Sequence, residues 1–340
     1  MADSEIEEAI AVKRACLLIG LLVSCAAPAP MHQARTAPLV TGPDGKLYAI
    51  GGTAPSGATL SSVEAYDPKT NGWLEMSPLL HAVEGNSAIL GPDGRIYSLG
   101  GDDGIHLTSE VEVFNVTANS WSEGPPLPMP LSAPAAVGRD GRLYVVGGTV
   151  DSDGGEVESS AVEVFDFNSR TWSTGPALPV ALLPVATVGP DGKLYVLGGL
   201  EGQQFQRSSY VLDATKQAWI TIDPVPSEMA GGYGAVSATN GKIFLIGGLV
   251  AGQPCNIVDE PADPCIALQG PLSIFDTDGG VWETGPMMPR PRGAPGLALG
   301  SDGRIYVAGG VANVEFEGQY SLQATPDLQI LSPDTLSWWD

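Results

Sequence analysis

The stretch GPDGKLYAIGG at residues 42–52 returns five times along the chain in related form. The later copies are GPDGRIYSLGG, GRDGRLYVVGG, GPDGKLYVLGG, TNGKIFLIGG and GSDGRIYVAGG, ending at Gly101, Gly148, Gly199, Gly248 and Gly310. Each copy joins an Asp-Gly or Asn-Gly hairpin signal to a short apolar run and a glycine pair. Because both alternating faces of the run are apolar, each strand needs cover on both sides, which neighbouring copies can supply. The repeat therefore predicts a ring of similar antiparallel sheets.

A tryptophan follows the same turn position in every copy, always six residues later. The pairs are Asp67–Trp73, Asn115–Trp121, Asp166–Trp172, Asp213–Trp219, Asp276–Trp282 and Ser332–Trp338. We interpret these aromatic side chains as packing between sheets rather than as a ligand platform. The glycine pairs indicate close backbone approach or positive φ rather than phosphate binding, since no helical period follows them.

The glycine pair, the aromatic residue and Asp of the third strand, and the late Trp together resemble the kelch family, over nearly the whole chain after residue 34. The repeat period of about 50 residues is also that of kelch repeats. The resemblance implies an all-β fold, a six-bladed kelch-type β-propeller of four-stranded antiparallel blades at residues 35–340. A closed ring exposes no sheet edges, so we expect a monomer. The sequence leaves two alternatives for how the ring closes. Either residues 26–36 pair with the last blade, or the last blade ends short after Trp338.

Residues 1–24 are predicted to be an export signal. Lys13 and Arg14 precede an apolar run, 15–23, that is too short to span a bilayer. The sequence Leu-Val-Ser-Cys ending at Cys25 resembles the lipobox of bacterial lipoproteins, which implies lipidation of Cys25 and a short tether at 25–34. Acidic residues before Lys13 depart from this pattern, and cleavage at a nearby Ala is the alternative. We expect an extracytoplasmic protein, lipid-anchored at the bacterial cell envelope or surface.

The predicted export also determines what we expect of the remaining cysteines. Cys255 and Cys265 are then the two that stay in the folded domain, and a disulfide between them is expected in an oxidising compartment. A metal site or catalytic thiol is less favoured, because no histidine lies near the pair in sequence.

The loops between second and third strands vary from short, at 53–62, to long, at 249–271, and emerge on the same face as the links between blades. Variable loops on a rigid scaffold usually carry specificity. They are also acidic, with Asp102, Asp103, Glu110, Asp151, Asp153, Glu156, Glu158, Glu201, Asp259, Glu260, Asp263, Glu315 and Glu317. The formal net charge of −23 excludes nucleic acid and anionic lipid as partners. Solubility or a saline habitat stays the alternative to attraction of a metal ion, a cationic ligand or a basic partner.

Two sets of residues are candidate sites. Ligand-binding candidates lie on the links near the central channel mouth: Arg35, Glu84, Tyr233, Arg290 and Arg292. Guanidinium groups there suit a carboxylate or an acidic sugar, although simple charge balance is the alternative. The second set partly resembles a calcium-binding loop, although it lacks the twelve-residue spacing of such loops, and calcium is the one cofactor expected there. This set comprises Asp151, Asp153, Glu156 and Glu158. The repeated Glu64, Glu112 and Glu163 are interpreted as a structural feature of the repeat.

We therefore expect a module that binds an unknown protein or carbohydrate ligand through its acidic loop face, rather than an enzyme. The family resemblance also implies an alternative, a carbohydrate-active enzyme similar to sialic-acid epimerases or mutarotases. Its site would lie at the channel mouth, with Glu84 as acid or base and Arg290 or Arg292 for the carboxylate. Copper chemistry is disfavoured, because the three histidines lie on separate segments.

Overall fold

The computed structural model describes residues 27–202, 204–226, 231–253, 265–268, 271–316 and 319–339. The regular elements in these ranges are β-strands, and they form six blades of four antiparallel strands each. This confirms the predicted six-bladed propeller. A search of the described residues finds no helix long and apolar enough to cross a membrane.

The first three blades keep their strands in chain order from the inside outward, and blade three carries an extra two-stranded hairpin. Blade one comprises β1 (Leu39–Thr41), β2 (Leu47–Ile50), β3 (Val63–Asp67) and β4 (Gly72–Met76). Blade two comprises β5 (Ser87–Leu90), β6 (Ile96–Leu99), β7 (Val111–Asn115) and β8 (Ser120–Glu123). Blade three comprises β9 (Ala135–Arg139), β10 (Arg142–Val146), the hairpin β11 (Thr149–Ser152) and β12 (Gly155–Glu158), then β13 (Val162–Asp166) and β14 (Thr171–Thr174).

The last three blades follow the same plan, with longer second strands in blades four and five. Blade four comprises β15 (Leu183–Val188), β16 (Leu194–Glu201), β17 (Gln204–Asp213) and β18 (Ala218–Ile222). Blade five comprises β19 (Gly231–Ser237), β20 (Lys242–Gln253), β21 (Cys265–Leu268), β22 (Pro271–Asp276) and β23 (Val281–Met287), with β21 paired to β20. Blade six comprises β24 (Gly296–Leu299), β25 (Ile305–Ala308), the hairpin β26 (Val311–Phe316) and β27 (Gln319–Ala324), then β28 (Leu328–Ser332) and β29 (Ser337–Trp339).

The hairpins between first and second strands form where the Asp-Gly steps predict them. In blade one the Asp44 carboxylate accepts hydrogen bonds from the Lys46 amide at 3.2 Å and from the Tyr48 hydroxyl at 3.0 Å. The same Asp–Tyr bond recurs in blade two, where burial and the hydrogen bond to Asp93 raise the pKa of Tyr97 to about 12. The turns of blades one, two, four and six thus fix the buried tyrosine that follows them.

The glycine pairs carry contacts between neighbouring blades. Gly51 and Gly52 have φ angles of 61° and 89°, and a Cβ on Gly52 would lie 1.9 Å from the Thr36 carbonyl oxygen. The amide of the second glycine donates to a carbonyl of the next blade's link, as Gly52 does to Val83 at 2.8 Å. The same bond closes the ring, where Gly310 donates to Arg35 at 3.0 Å. The structural interpretation of the pairs is therefore correct.

The hydrophobic core is divided into six clusters, each between two adjacent blades. The repeated tryptophans join these clusters, and four of them pack on an aromatic residue of the third strand, as Trp121 does on Phe114 with ring centroids 4.8 Å apart. Its indole nitrogen also donates to the Ser77 carbonyl of blade one, at 2.9 Å. The tryptophans therefore pack between blades, as predicted.

The N-terminal described residues complete the junction between blades six and one. The Trp73 indole donates to the Ala29 carbonyl at 2.8 Å, in the place that Ser77 takes for Trp121. Met31 is 4% exposed in the cluster between these blades, and its amide donates to the Pro326 carbonyl. Residues 27–34 therefore belong to the ring, where a tether was predicted, while β29 supplies the fourth strand of blade six.

Three predicted features fall on residues that the structure does not describe. The export signal at 1–24 and the lipidation residue Cys25 precede the described chain. Cys255 lies between described segments, and of Cys265 only the backbone is described. The lipid anchor and the disulfide therefore stay predictions.

Candidate functional site

The variable loops and the links between blades share one face of the propeller. Backbone bridges join a link residue to the loop that follows the glycine pair of the same blade, as between Thr36 and Thr53 and between Glu84 and Asp102. Ser132 pairs with Thr149 in the same way in blade three. The face therefore combines a bonded frame of links with loops of variable length, as the sequence predicts.

Polar side chains of the third strands accept hydrogen bonds from the backbone of the links. The buried Glu64 carboxylate accepts the amides of His32 and Gln33, at 2.8 and 3.1 Å. Glu112 accepts the amides of Leu80 and His81, at 2.8 and 3.0 Å. Glu64 and Glu112 thus have the structural role that their repetition indicates, while Glu163 is buried at the same position of blade three.

Two of the candidate arginines are buried in this frame. Arg35 is 1% exposed and donates to the carbonyls of Gly51 and Ser62, at 3.1 and 2.7 Å, and to the Glu64 carboxylate at 2.9 Å. Burial lowers the pKa of Arg35, while the charge of Glu64 opposes that shift. These contacts favour a role in holding the link over contact with a ligand.

Arg292 occupies the corresponding position in blade six. It is fully buried and donates to the carbonyls of Gly309 and Asp327, both at 3.0 Å. Burial lowers its pKa to about 10, and the Asp327 carboxylate lies 3.8 Å away. Apolar Val83, Leu131 and Leu182 occupy the same link position in blades two to four. The two arginines are therefore polar replacements of a buried structural residue.

Tyr233 is also buried, at 5% exposure, in the cluster between blades four and five. Its hydroxyl donates to the Leu197 carbonyl at 3.0 Å and lies over Gly198, where a Cβ would contact it. Burial raises its pKa above the ordinary tyrosine range. This side chain therefore joins two blades rather than facing the channel mouth.

Glu84 and Arg290 are the two candidates that reach solvent. Glu84 is half-buried and accepts a hydrogen bond from the Thr53 hydroxyl at 2.6 Å. The Arg290 side chain is 44% exposed and forms an ion pair with Asp327 at 3.3 Å. Glu84 lies on the link into blade two and Arg290 on the link into blade six, so blade one separates their links around the ring.

The acidic segment of blade three forms the hairpin β11–β12, a small sheet separate from the blade. Asp151 pairs with Glu156 across the hairpin, and both are exposed, as is Asp153 in its turn. The Glu158 carboxylate accepts the amide of Gly202 in blade four at 2.8 Å. Within the described residues these carboxylates do not meet in a group of three. Calcium binding at this hairpin stays a prediction, and the four carboxylates predicted as its ligands are distributed along the two-stranded hairpin.

A different cluster lies in a pocket of about 370 Å³ on blade two. There His81, Glu110 and Glu112 place their ligand atoms within 4.8 Å of one another. In the sequence these residues stand apart, as one of three scattered histidines, a loop acid and a repeated glutamate. The available signal was the spacing of Glu110 and Glu112, because side chains two positions apart in an extended chain point to the same side.

This fold and its link frame define the class of protein, a six-bladed β-propeller whose loops and links form one face. The family model of the KLHDC2/KLHL20/DRC7 kelch-repeats domain matches residues 132–340, and the kelch motif matches residues 34–80 and 86–128. The chain therefore belongs to the kelch-repeat family, as the sequence resemblance implies. Kelch propellers typically bind proteins.

Curated relatives are similar over part of their length. Kelch-like protein 25 of Xenopus tropicalis is 28% identical over 188 residues, which cover 53% of this chain and 31% of the relative. Kelch-like protein 35 of Mus musculus is 30% identical over 172 residues, covering 50% of this chain and 28% of the relative. This chain thus spans about a third of the length of these relatives or less.

Among solved structures, that of YjhT superposes with a TM-score of 0.73. The match covers 93% of this chain and 100% of the other, at 15% sequence identity. At that identity the likeness concerns the propeller fold.

Proposed function

We propose that this propeller is a binding module that recognises a basic protein segment through the face formed by its loops and links. The observation that carries the proposal is the hairpin β11–β12, which stands apart from the blade sheet and exposes Asp151, Asp153 and Glu156. Exposed carboxylates on a scaffold of net charge −23 attract cationic partners and repel anionic ones.

The rigidity of the frame supports recognition by the loops. The links into blades one and two are bonded to the third strands of their blades through Glu64 and Glu112, and their Arg35 and Val83 carbonyls accept glycine-pair amides of the preceding blade. A hairpin on such a frame loses little conformational freedom when a partner binds, which reduces the entropic cost of association. The neighbouring Asp103 and Glu110 extend the exposed acidic surface on blade two.

The test is binding to an array of lysine- and arginine-rich peptides at low and high salt. The variant Asp153→Lys/Glu156→Lys reverses two charges on the loop face. The matched control Asp278→Lys/Asp334→Lys makes the same charge change in exposed turns between third and fourth strands, on the opposite face. We expect the loop-face variant to slow peptide association about tenfold at low salt, and the control to have a small effect. Equal effects of both variants would mean that only the net charge matters.

A carbohydrate-active site at the channel mouth is the alternative function. It would need Arg292 or Tyr233 to reach a sugar, but both side chains are buried and donate to backbone carbonyls. Arg292 Nη2 has no hydrogen-bond partner among the described residues, and it lies buried 3.8 Å from the Asp327 carboxylate. Arg290 is exposed, but its partner is Asp327 of its own blade. Among the described residues, no observation at the channel mouth favours this activity, and we therefore propose binding rather than catalysis.

We further propose that the chain is exported and lipid-anchored at Cys25, on the strength of the basic, apolar and lipobox-like segments that precede it. The test is incorporation of labelled palmitate by the full chain in a bacterial host, with Cys25→Ala as the variant and Cys16→Ala as the control. Label that is lost only in Cys25→Ala supports the anchor. Label that is absent from the unaltered chain, or retained in Cys25→Ala, rules it out.

A further inference from the structure

The pocket on blade two collects donor atoms of a kind that transition metals prefer. His81 lies on the link into the blade, Glu110 immediately precedes its third strand, and Glu112 is the second residue of that strand. We propose that these three residues bind a divalent zinc-type ion, through His81 Nδ1 and one carboxylate oxygen of each glutamate. The proposal concerns this site alone and does not depend on the peptide partner proposed above.

The distances are close to those of a metal site. His81 Nδ1 lies 2.9 Å from Glu110 Oε2 and 3.4 Å from Glu112 Oε1. Tetrahedral zinc, with bonds of about 2.0–2.2 Å to nitrogen and oxygen, places its ligand atoms about 3.3–3.6 Å apart. Small side-chain rotations of the exposed His81 and Glu110 are therefore enough to admit an ion.

A metal ion satisfies these groups better than a proton does. Both carboxylates approach the same ring nitrogen, which carries a single hydrogen and makes one good hydrogen bond. A divalent ion at that point contacts all three donors at once and balances both negative charges. Imidazole together with carboxylate suits zinc, whereas calcium requires six to eight oxygen ligands.

The protein holds one of the proposed ligands in place before any ion arrives. Glu112 is 6% exposed, and its two oxygens accept the amides of Leu80 and His81. Such contacts around a metal ligand fix its orientation, and their loss typically costs about 10- to 100-fold in metal affinity. Burial raises the pKa of Glu112, and the charge of Glu110 adds to this shift. A bound cation would offset that unfavourable burial.

The remaining space provides a route for the ion and a place for a fourth ligand. The side chains of His81 and Glu110 are 55% and 52% exposed, so the site opens to solvent. The pocket of about 370 Å³ has room for a water beside the ion, and Asp103 and Thr108 line it. Three protein ligands with one open position are typical of zinc sites that exchange a bound water or ligand.

The other blades show that the fold of the repeat does not require this cluster. Blade one has Gln33, Ser62 and Glu64 at the corresponding positions, and the Ser62 hydroxyl donates to the Gln33 side chain at 2.8 Å. Blade three has Met129 and Ala161 beside its repeated glutamate. The repeat therefore folds without a histidine or a second carboxylate at these positions.

Blade one also supplies the test variant. The substitutions His81→Gln and Glu110→Ser convert the blade-two set into the set of blade one, which the same protein already folds. The control is His32→Gln, because His32 Nδ1 lies 2.9 Å from Glu64 and is a second exposed histidine–glutamate pair. Zinc binding to the full chain is measured by titration calorimetry, with its thiols alkylated so that cysteines do not contribute.

We expect one equivalent of zinc to bind the unaltered protein and the His32→Gln control alike. The double variant should bind at least about tenfold more weakly, and magnesium or calcium in large excess should not displace the zinc. Absence of binding to the unaltered protein would overturn the proposal, as would equal affinity in the double variant or loss confined to His32→Gln. Displacement by calcium would overturn the assignment to a zinc-type ion. Unchanged urea midpoints of both variants without metal ensure that weaker binding reflects the site rather than unfolding.

Discussion

Replacement of Arg35 with leucine tests whether this residue supports the frame or binds a ligand. The change removes the hydrogen bonds to the carbonyls of Gly51 and Ser62 and the ion pair with Glu64, whose side chain is 3% exposed. Breaking a buried pair by removing one partner costs about 3–5 kcal/mol. Glu64 keeps the amides of His32 and Gln33, so we expect the lower end, about 3 kcal/mol.

Leucine is the appropriate replacement because Leu131 and Leu182 occupy this position in blades three and four. The assay is urea unfolding of the unaltered protein, Arg35→Leu, Glu64→Gln and the double variant. We expect a coupling free energy of at least about 1 kcal/mol between the two sites. The control Arg290→Leu removes a half-exposed ion pair and should cost under about 1 kcal/mol. A neutral or stabilising Arg35→Leu, or one whose cost is unchanged by Glu64→Gln, would refute the structural role.

Three further predictions concern the repeat. Gly52→Ala should cost more than about 3 kcal/mol in urea unfolding, because its Cβ would collide with a neighbouring carbonyl, whereas Gly57→Ala, with φ of 80° and open space, should cost about 1 kcal/mol; equal costs would contradict the contact. Trp73→Phe should cost about 1 kcal/mol more than Trp338→Phe, because the indole nitrogen of Trp338 has no hydrogen-bond partner among the described residues; the reverse order would refute this. Burial raises the pKa of Glu163, so its protonated form favours folding and that stability is lost as pH rises through the shifted pKa. The stability of Glu163→Gln relative to the unaltered protein should therefore increase from pH 4 to pH 7, and a difference that is constant with pH would contradict it.

The fold could be predicted from the sequence because each repeat contains the turn, glycine and tryptophan residues that determine its local structure. Asp44 and Gly45 set the first hairpin, and Gly52 provides a conformation that other residues adopt only with strain. Trp73 and its equivalents mark the packing between blades. These are local effects repeated at constant spacing, so one copy predicts the rest.

The roles of the link residues could not be predicted in the same way. Arg35 and Arg292 have the composition of a ligand site, but each replaces a buried apolar residue of the repeat and meets carbonyls from distant segments. An alignment of the chain's own links on Met31, Leu79 and Leu127 would have indicated that position. Which partners a buried arginine finds depends on the closed ring, and this is not encoded in the local pattern.

The blade-two cluster was missed for a related reason. Its histidine lies on a link, and its glutamates lie just before and within a strand that begins about thirty residues later. Their proximity therefore appears only when the link is folded over the blade. The acidic hairpin of blade three shows the opposite case. Its alternating carboxylates are adjacent in sequence, but pairing across the ribbon spreads them out.

The most direct test of the proposed function maps the surface that a partner covers. Hydrogen–deuterium exchange is measured for the full chain, free and with the strongest-binding peptide of the basic array. The account predicts protection of the hairpin at residues 149–158 and of the link at residues 77–86, with unchanged exchange in the turns at 277–280 and 333–336 of the opposite face. Protection confined to those opposite turns would contradict recognition through the acidic loop face.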